Sequence, residues 1–248
     1  MNLRNSFPER SQKEINKIAK KFYFNLTDVI VETIKALTIS KKDLVERIEV
    51  NGLENLNNYL SNGQSLVVMT SHLCNWEWML LRTGIDVKTE IDAVYQKLNN
   101  NFVDDLMKKI RGRFNTLPIS MKALPRELVK RKNLPRVIAL VADQTPAPEN
   151  AYWTFFLNQD TSFYMGPAKI ALSLSYPIIY SDIKRLGRGK YILSHHILAE
   201  PPYKTGMKPE ELIEKYVRLI EKSIQDQPSG WLWSHKRWKH KKSDYIHD

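Results

Sequence analysis

The sequence predicts an α/β fold: a single-domain sandwich whose mixed, largely parallel central sheet is flanked by helices. Three observations lead there. Short apolar runs at 66–69 and 136–142 have the length and β-branched content of buried strands. Longer stretches between such runs repeat their apolar residues every three or four positions, so strands and helices alternate. The chain's 248 residues, 42% of them hydrophobic, are enough for one α/β domain with a substantial core. No repeat, low-complexity tract or linker divides it, so one domain over 1–248 is expected.

Residues 1–8 form an entry segment, with Pro8 placed to open a helix and Ser11 to cap it. Over 11–37, Ile15, Ile18, Phe22, Leu26, Val29, Ile30, Thr33 and Leu37 recur at helical steps, which predicts one or two amphipathic helices. Lys13, Lys17, Lys20 and Lys21 make the first of these basic. A short helix at 40–47 completes an N-terminal helical segment of about 50 residues. Residues 52–60 predict another helix, ending at Asn62-Gly63. The strand at 66–69 follows, then a helix capped by Asn75 and closing near Gly84.

Further on come a strand at 91–95 and a helix at 101–114, with Phe102, Leu106, Met107 and Ile110 inward. Lys108, Lys109, Arg111 and Arg113 fall on its outer side. A helix at 123–132 leads to the strand at 136–142, whose exit loop, Asp143 to Pro148, has turn chemistry throughout. An aromatic strand at 152–157 and a helix from Gly166-Pro167 through Leu174 precede two strands, 177–183 and 190–198. These join across Gly187-Arg188-Gly189 as a hairpin. The last helix spans 208–225, and three Trp stand among bases in the tail at 231–239.

The formal charge of +11 calls for an acidic partner: nucleic acid, an anionic membrane surface, a phosphorylated ligand or an acidic protein. Residues 101–140 hold ten Lys and Arg against Asp104, Asp105 and Glu127, a net of +7. One cysteine excludes an internal disulfide and fits a reducing compartment. The six His show no metal-ligand spacing, and there is no glycine-rich phosphate loop. No metal or organic cofactor is therefore expected. Nucleic acid would explain the charge and the Trp-rich tail, yet no helix-turn-helix, RNA-recognition or zinc-finger pattern supports it. No secretory signal is apparent, and no run approaches the roughly 20 apolar residues of a membrane span.

The chemistry concentrates in Ser71-His72-Leu73-Cys74-Asn75-Trp76-Glu77-Trp78. His72 sits at the mouth of a strand-to-helix turn, where α/β folds place ligands. Glu77 follows five positions later, a spacing that suits a bent turn rather than one helix. A carboxylate on one imidazole nitrogen fixes the tautomer and leaves the other as a base, a dyad in need of a hydroxyl. Cys74 offers a competing reading as an acyl-accepting nucleophile.

This block resembles the His-x4-Glu/Asp element of the lysophospholipid-acyltransferase-like superfamily. More narrowly, it is similar to that of the bacterial lipid A biosynthesis secondary (lauroyl/myristoyl) acyltransferases. The likeness continues in order through Val94-Tyr95-Gln96-Lys97-Leu98-Asn99-Asn100, Arg111-Gly112-Arg113-Phe114 and Ala142-Asp143-Gln144. It goes on to Phe155-Phe156-Leu157, Gly166-Pro167-Ala168 and Trp231-Leu232-Trp233-Ser234-His235-Lys236-Arg237-Trp238-Lys239, so it covers about 2–239.

The resemblance implies transfer of a fatty acyl group from a thioester on acyl carrier protein, or on CoA, to a hydroxyl of a lipid A-type glycolipid. His72 and Glu77 would be catalytic, with backbone N–H groups of the turn before the Asn75 helix holding the oxyanion. Arg113 is carried over as an anion contact, and Asn75 is placed among the substrate-binding residues. Lys97 stands in for the family's Arg, since its Tyr-Arg pair is Tyr95-Gln96 here. Asp143 either orients Arg113 or holds the loop. Other membrane lipids as acceptor, and hydrolysis of the thioester, are the rival activities. The expected location is the cytoplasmic face of the bacterial inner membrane, at an anionic surface reached through the first helix's lysines and the Trp-rich tail. Family members carry an apolar membrane segment just before a stretch like 2–9. Two readings stay open: this member does without that segment, or the segment lies outside the sequence.

Overall fold

The computed structural model describes residues 2–245. In chain order its elements are α1 (Asn2–Ser6), α2 (Gln12–Lys35), α3 (Lys41–Arg47), β1 (Ile48–Asn51), α4 (Glu54–Ser61), β2 (Leu66–Thr70) and α5 (Trp76–Asp86). Then follow β3 (Ile91–Tyr95), α6 (Asn101–Arg111), β4 (Thr116–Ser120), α7 (Leu124–Lys130), β5 (Val137–Val141), β6 (Tyr152–Phe156) and β7 (Gln159–Phe163). The last are α8 (Gly166–Leu174), β8 (Ile178–Gly187), β9 (Lys190–Ala199) and α9 (Pro209–Asp226).

Seven strands form one sheet in the order β1-β9-β8-β2-β5-β3-β4, and β6-β7 form a separate hairpin. Within the large sheet only β8 and β9 pair antiparallel. The sheet is therefore mixed and mostly parallel, as the sequence predicts. The continuous apolar runs occupy its centre. In β2, Leu66 and Val68 join a cluster with Leu56 and Leu60 of α4, while Val67 and Met69 pack in the cluster that includes α9. A strand covered on both faces cannot alternate apolar with polar, which is why 66–70 reads as an unbroken run.

Local chemistry sets the helix ends. Ser11 and Glu14 make a reciprocal capping box for α2, and Ser40 and Asp43 do the same for α3. Asn75 caps α5 by accepting from the Trp78 N–H at 2.9 Å. Three strands escape sequence reading: β1, β4 and β7. Two of them, β1 and β4, are the sheet's edges, and β4 contains Pro118, which an edge strand tolerates. The helix expected over 101–114 stops at Arg111, and Phe102 faces out at 76% exposure rather than inward. The tail departs from expectation too. Trp231, Trp233 and Arg237 are buried, with Trp231 edge-on to Phe156, Trp233 and Trp238. Indoles so placed are unavailable to stack on bases or to sit in a membrane interface.

Candidate active site

Strands β2 and β5 are parallel neighbours with Thr70 opposite Val141, so their C-terminal ends deliver two loops to one place. His72 leaves the end of β2, and Asp143 leaves the end of β5. Their side chains meet: His72 Nδ1 lies 2.6 Å from Asp143 Oδ1. The second carboxylate oxygen accepts from the His72 backbone N–H at 2.9 Å and from Trp231 Nε1 at 2.7 Å. Burial pushes the Asp143 pKa up, but attraction to His72 and the bonds from His72 and Trp231 outweigh it, and the net shift is downward. An ionised carboxylate only accepts, so Nδ1 carries the proton and Nε2 is left as the basic nitrogen. Gln144 Nε2 stands 3.2 Å from that nitrogen, placed as an amide donor to it.

The turn itself is fixed from the far end of the chain. Leu73 bridges Trp231, the Cys74 N–H donates to Gly230 O at 2.8 Å, and the Leu232 N–H donates to His72 O at 3.1 Å. Cys74 takes a left-handed φ of 49°, which turns the chain sharply into α5. Its thiol is buried, and burial pushes its pKa up to about 12. It borders a small void under α2, with Phe22, Leu26 and Trp76, rather than the main cavity. A thiol so held is neither ionised nor open to the main cavity.

Glu77 is not on the imidazole. Among the described residues no hydrogen bond joins it to His72, which corrects the expected pairing. Its carboxylate instead receives Arg111 through Nε at 2.9 Å and Nη2 at 2.5 Å, and Trp76 Nε1 at 3.1 Å. The Trp76 ring in turn lies edge-on to His72, with centroids 5.0 Å apart. Glu77 thus holds a tryptophan and an arginine beside His72.

A cavity of about 430 Å³ opens at His72. Its mouth is polar, with Gln144, Lys97 and Arg111. Its depth is apolar, running between α5 and the sheet along Val68, Ile91, Val137 and Ala139. The sheet register places Ile91 opposite Val137, and Val137 opposite Leu66, four residues before the level of Thr70. At roughly 3.3 Å per residue the slot is about 13 Å long. It suits a linear hydrocarbon with a polar head at the imidazole.

Two expected contacts fall elsewhere. Arg113 lies beyond the end of α6 and turns away to donate to Ala36 O and, at 2.8 Å, to Ile39 O, with its guanidinium over Phe114. Ala36 is the C-cap of α2, so its carbonyl lies at the negative pole of that helix and attracts a cation, and Ile39 O lies in the turn that follows. Arg111, two residues earlier, is the arginine of the site. Asn75 is fully buried; it caps α5 and donates to Glu32 at 2.7 Å. Both serve the scaffold. The turn's N–H groups at His72 and Cys74 are likewise engaged, which leaves the first turn of α5 as the nearby backbone donors.

The positive charge of 101–140 is also thinner than its sum. Lys108 pairs with Asp104 and Asp105, Arg131 with Glu90, Asp92 and Glu127, and Arg136 with Asp92. Lys109, Lys122, Arg126, Lys130 and Lys132 remain exposed, with no ion pair among the described residues. No group of His, Cys, Asp and Glu among the described residues could hold a metal ion.

The profile of the family described as "Bacterial lipid A biosynthesis acyltransferase" matches residues 1–240. A protein of Haemophilus influenzae named "Lipid A biosynthesis acyltransferase" is 21% identical over 237 residues, which span 94% of this chain and 72% of the relative.

Proposed function

The chain belongs to the bacterial lipid A biosynthesis acyltransferase family and is an acyltransferase, and we propose that His72 is the general base of its transfer reaction. The donor is a fatty acyl thioester on an acidic carrier protein or on CoA, and the acceptor is a hydroxyl of a lipid A-type glycolipid. The observation that carries this reading is the 2.6 Å contact of His72 Nδ1 with Asp143 at the mouth of an apolar slot.

In the reaction the acyl chain lies in the slot with its thioester carbonyl beside the imidazole. The acceptor hydroxyl displaces Gln144 from Nε2 and gives that nitrogen its proton as its oxygen bonds the carbonyl carbon. Asp143 stabilises the imidazolium that forms. Free N–H groups of the first turn of α5 (Trp76 and Glu77) face developing negative charge at the helix's positive end. When the tetrahedral intermediate collapses, the C–S bond breaks and the imidazolium returns the proton to the departing thiolate. An ester and a free thiol result, with no acyl-enzyme.

Lys97 and Arg111 supply cationic groups to an anionic headgroup or carrier phosphate at the mouth. The exposed cations of α6 and α7 suit an acidic carrier. The test is incubation with labelled acyl-carrier protein or acyl-CoA and a panel of lipid acceptors, followed by mass spectrometry. The proposal expects a product heavier by one acyl group on a hydroxylated glycolipid, absent with His72→Ala. Release of free fatty acid alone, undiminished in His72→Ala, would sink it.

A further inference from the structure

Helix α2 carries a surface that the transfer chemistry does not use. Its buried side holds Ile15, Ile18, Phe22, Val29 and Glu32. On the opposite side Tyr23, Phe24, Ile30, Val31 and Ile34 are each more than half exposed. Ile30 fits the inward spacing of the sequence, yet it faces out. At ~100° per residue these five side chains, with Thr27 among them, share an arc of about 120°. An exposed apolar stripe of this size on one helix is uncommon on a monomer and marks a contact surface.

The same arc is basic toward the N-terminus of the helix. Lys13 and Lys20 project on it ahead of the apolar stripe, Lys17 and Lys35 lie about 20° past its edge, and Lys21 lies about 60° past it. Asp28 is the carboxylate on the arc's border, and it is neutralised twice, by Arg185 at 2.6 Å and Arg188 at 2.9 Å. Those arginines flank the β8–β9 turn, which sets a further exposed apolar residue, Leu186, beside the helix. Meanwhile the tail tryptophans Trp231 and Trp233, the other candidates for a lipid contact, are buried.

We propose that α2 is an in-plane docking face for an anionic lipid bilayer: the stripe enters the headgroup–acyl boundary and the lysines bind acidic headgroups. Charge complementarity decides for lipid over a second copy of the chain, because two such faces would oppose their lysines. The buried side of α2 shares a small void with Trp76, whose ring also walls the acyl slot, so the docking helix and the reaction site are joined through one side chain.

Co-sedimentation with phosphatidylcholine vesicles, with and without phosphatidylglycerol, tests this directly, and needs neither donor nor acceptor. Failure of the transfer reaction therefore leaves it standing. Wild-type protein should bind vesicles with phosphatidylglycerol and release them as salt rises. Lys17→Gln with Lys20→Gln should lower that partitioning about 25-fold, from roughly fivefold per lysine. Phe24→Gln, Ile30→Gln and Ile34→Gln together should lower it at least tenfold, and Thr27→Glu, a single exposed change, should act in the same direction should the triple variant fold poorly. Wild-type protein that ignores anionic vesicles at low salt overturns the proposal. So does a folded stripe variant that binds as wild type, or a wild-type dimer that the stripe variant splits while vesicle binding is unchanged.

Discussion

Replacing Asp143 with Asn removes one charge and almost no volume, so it isolates what the carboxylate does for His72. Two placements of the amide compete. With its NH2 at the Oδ2 position, it would confront two donors, the His72 N–H and Trp231 Nε1, now both buried without an acceptor. Each such loss costs about 1–3 kcal/mol, so this placement costs about 2–6 kcal/mol. With its oxygen there instead, both donors are kept and the NH2 faces Nδ1. That nitrogen must then become the acceptor, and the proton moves to Nε2. The second placement is the cheaper. The folded variant should therefore hold its imidazole in the tautomer that cannot take a hydroxyl proton. Turnover should fall by ~10³–10⁴, the scale of a wrong-tautomer defect. The melting temperature should drop by only a few degrees. Steady-state kcat and KM with acyl-carrier protein, alongside thermal melts, would check this, with Glu77→Gln as comparator. Because Glu77 reaches His72 only through Trp76, its variant should keep more activity than the Asp143→Asn protein. An Asp143→Asn protein within fivefold of wild type, beside a Glu77→Gln loss of a hundredfold, would return the base's partner to Glu77 and refute the reasoning.

Further outcomes follow from the same geometry. Cys74→Ala should retain most activity, and Cys74 should resist iodoacetamide at pH 8 in the folded protein, since burial pushes its thiol up to about 12; no acylated protein should appear by mass spectrometry with donor alone. Ala139 lines the middle of the slot, so Ala139→Leu should cut kcat/KM tenfold or more for long acyl donors and leave short ones nearly unchanged in a chain-length series. His195 is buried against Ser181 Oγ at 2.7 Å, and burial lowers its pKa to about 4, so it stays neutral when the unfolded chain's histidine protonates near 6.5. The unfolded state then binds the extra proton between those values. Stability should fall by about 3 kcal/mol as pH drops from 7 through 4, visible in urea midpoints, and His195→Gln should flatten that slope.

The central strands were legible because a strand covered on both faces has no alternative composition, and Asn75 announced its helix by capping chemistry. What the sequence hid depends on neighbours. β7 is Gln-Asp-Thr-Ser-Phe, with little strand propensity, and pairs because β6 lies beside it. His72 stood out at its turn, but its partner did not. Asp143 is 71 positions away, and only the adjacency of β2 and β5 brings the two together. The nearer Glu77 satisfied the same requirement on paper. Choosing between Arg111 and Arg113 was equally beyond a linear reading. The two differ in whether α6 has already ended: Gly112 caps it, and the chain then turns through left-handed Phe114 and Asn115.

The lacing of the His72 turn by residues 230–232 has a consequence for the order in which the enzyme comes into being. Trp231 lies 88 positions after Asp143, the carboxylate it holds. At synthesis rates of ~5–20 residues per second, about 4–18 s separate the emergence of the two. Through that interval the growing chain has His72 and Asp143 but not the indole or the backbone strap that fix them. A half-made chain therefore lacks the finished site, because residues 230–232 fix a turn that was made in its first third.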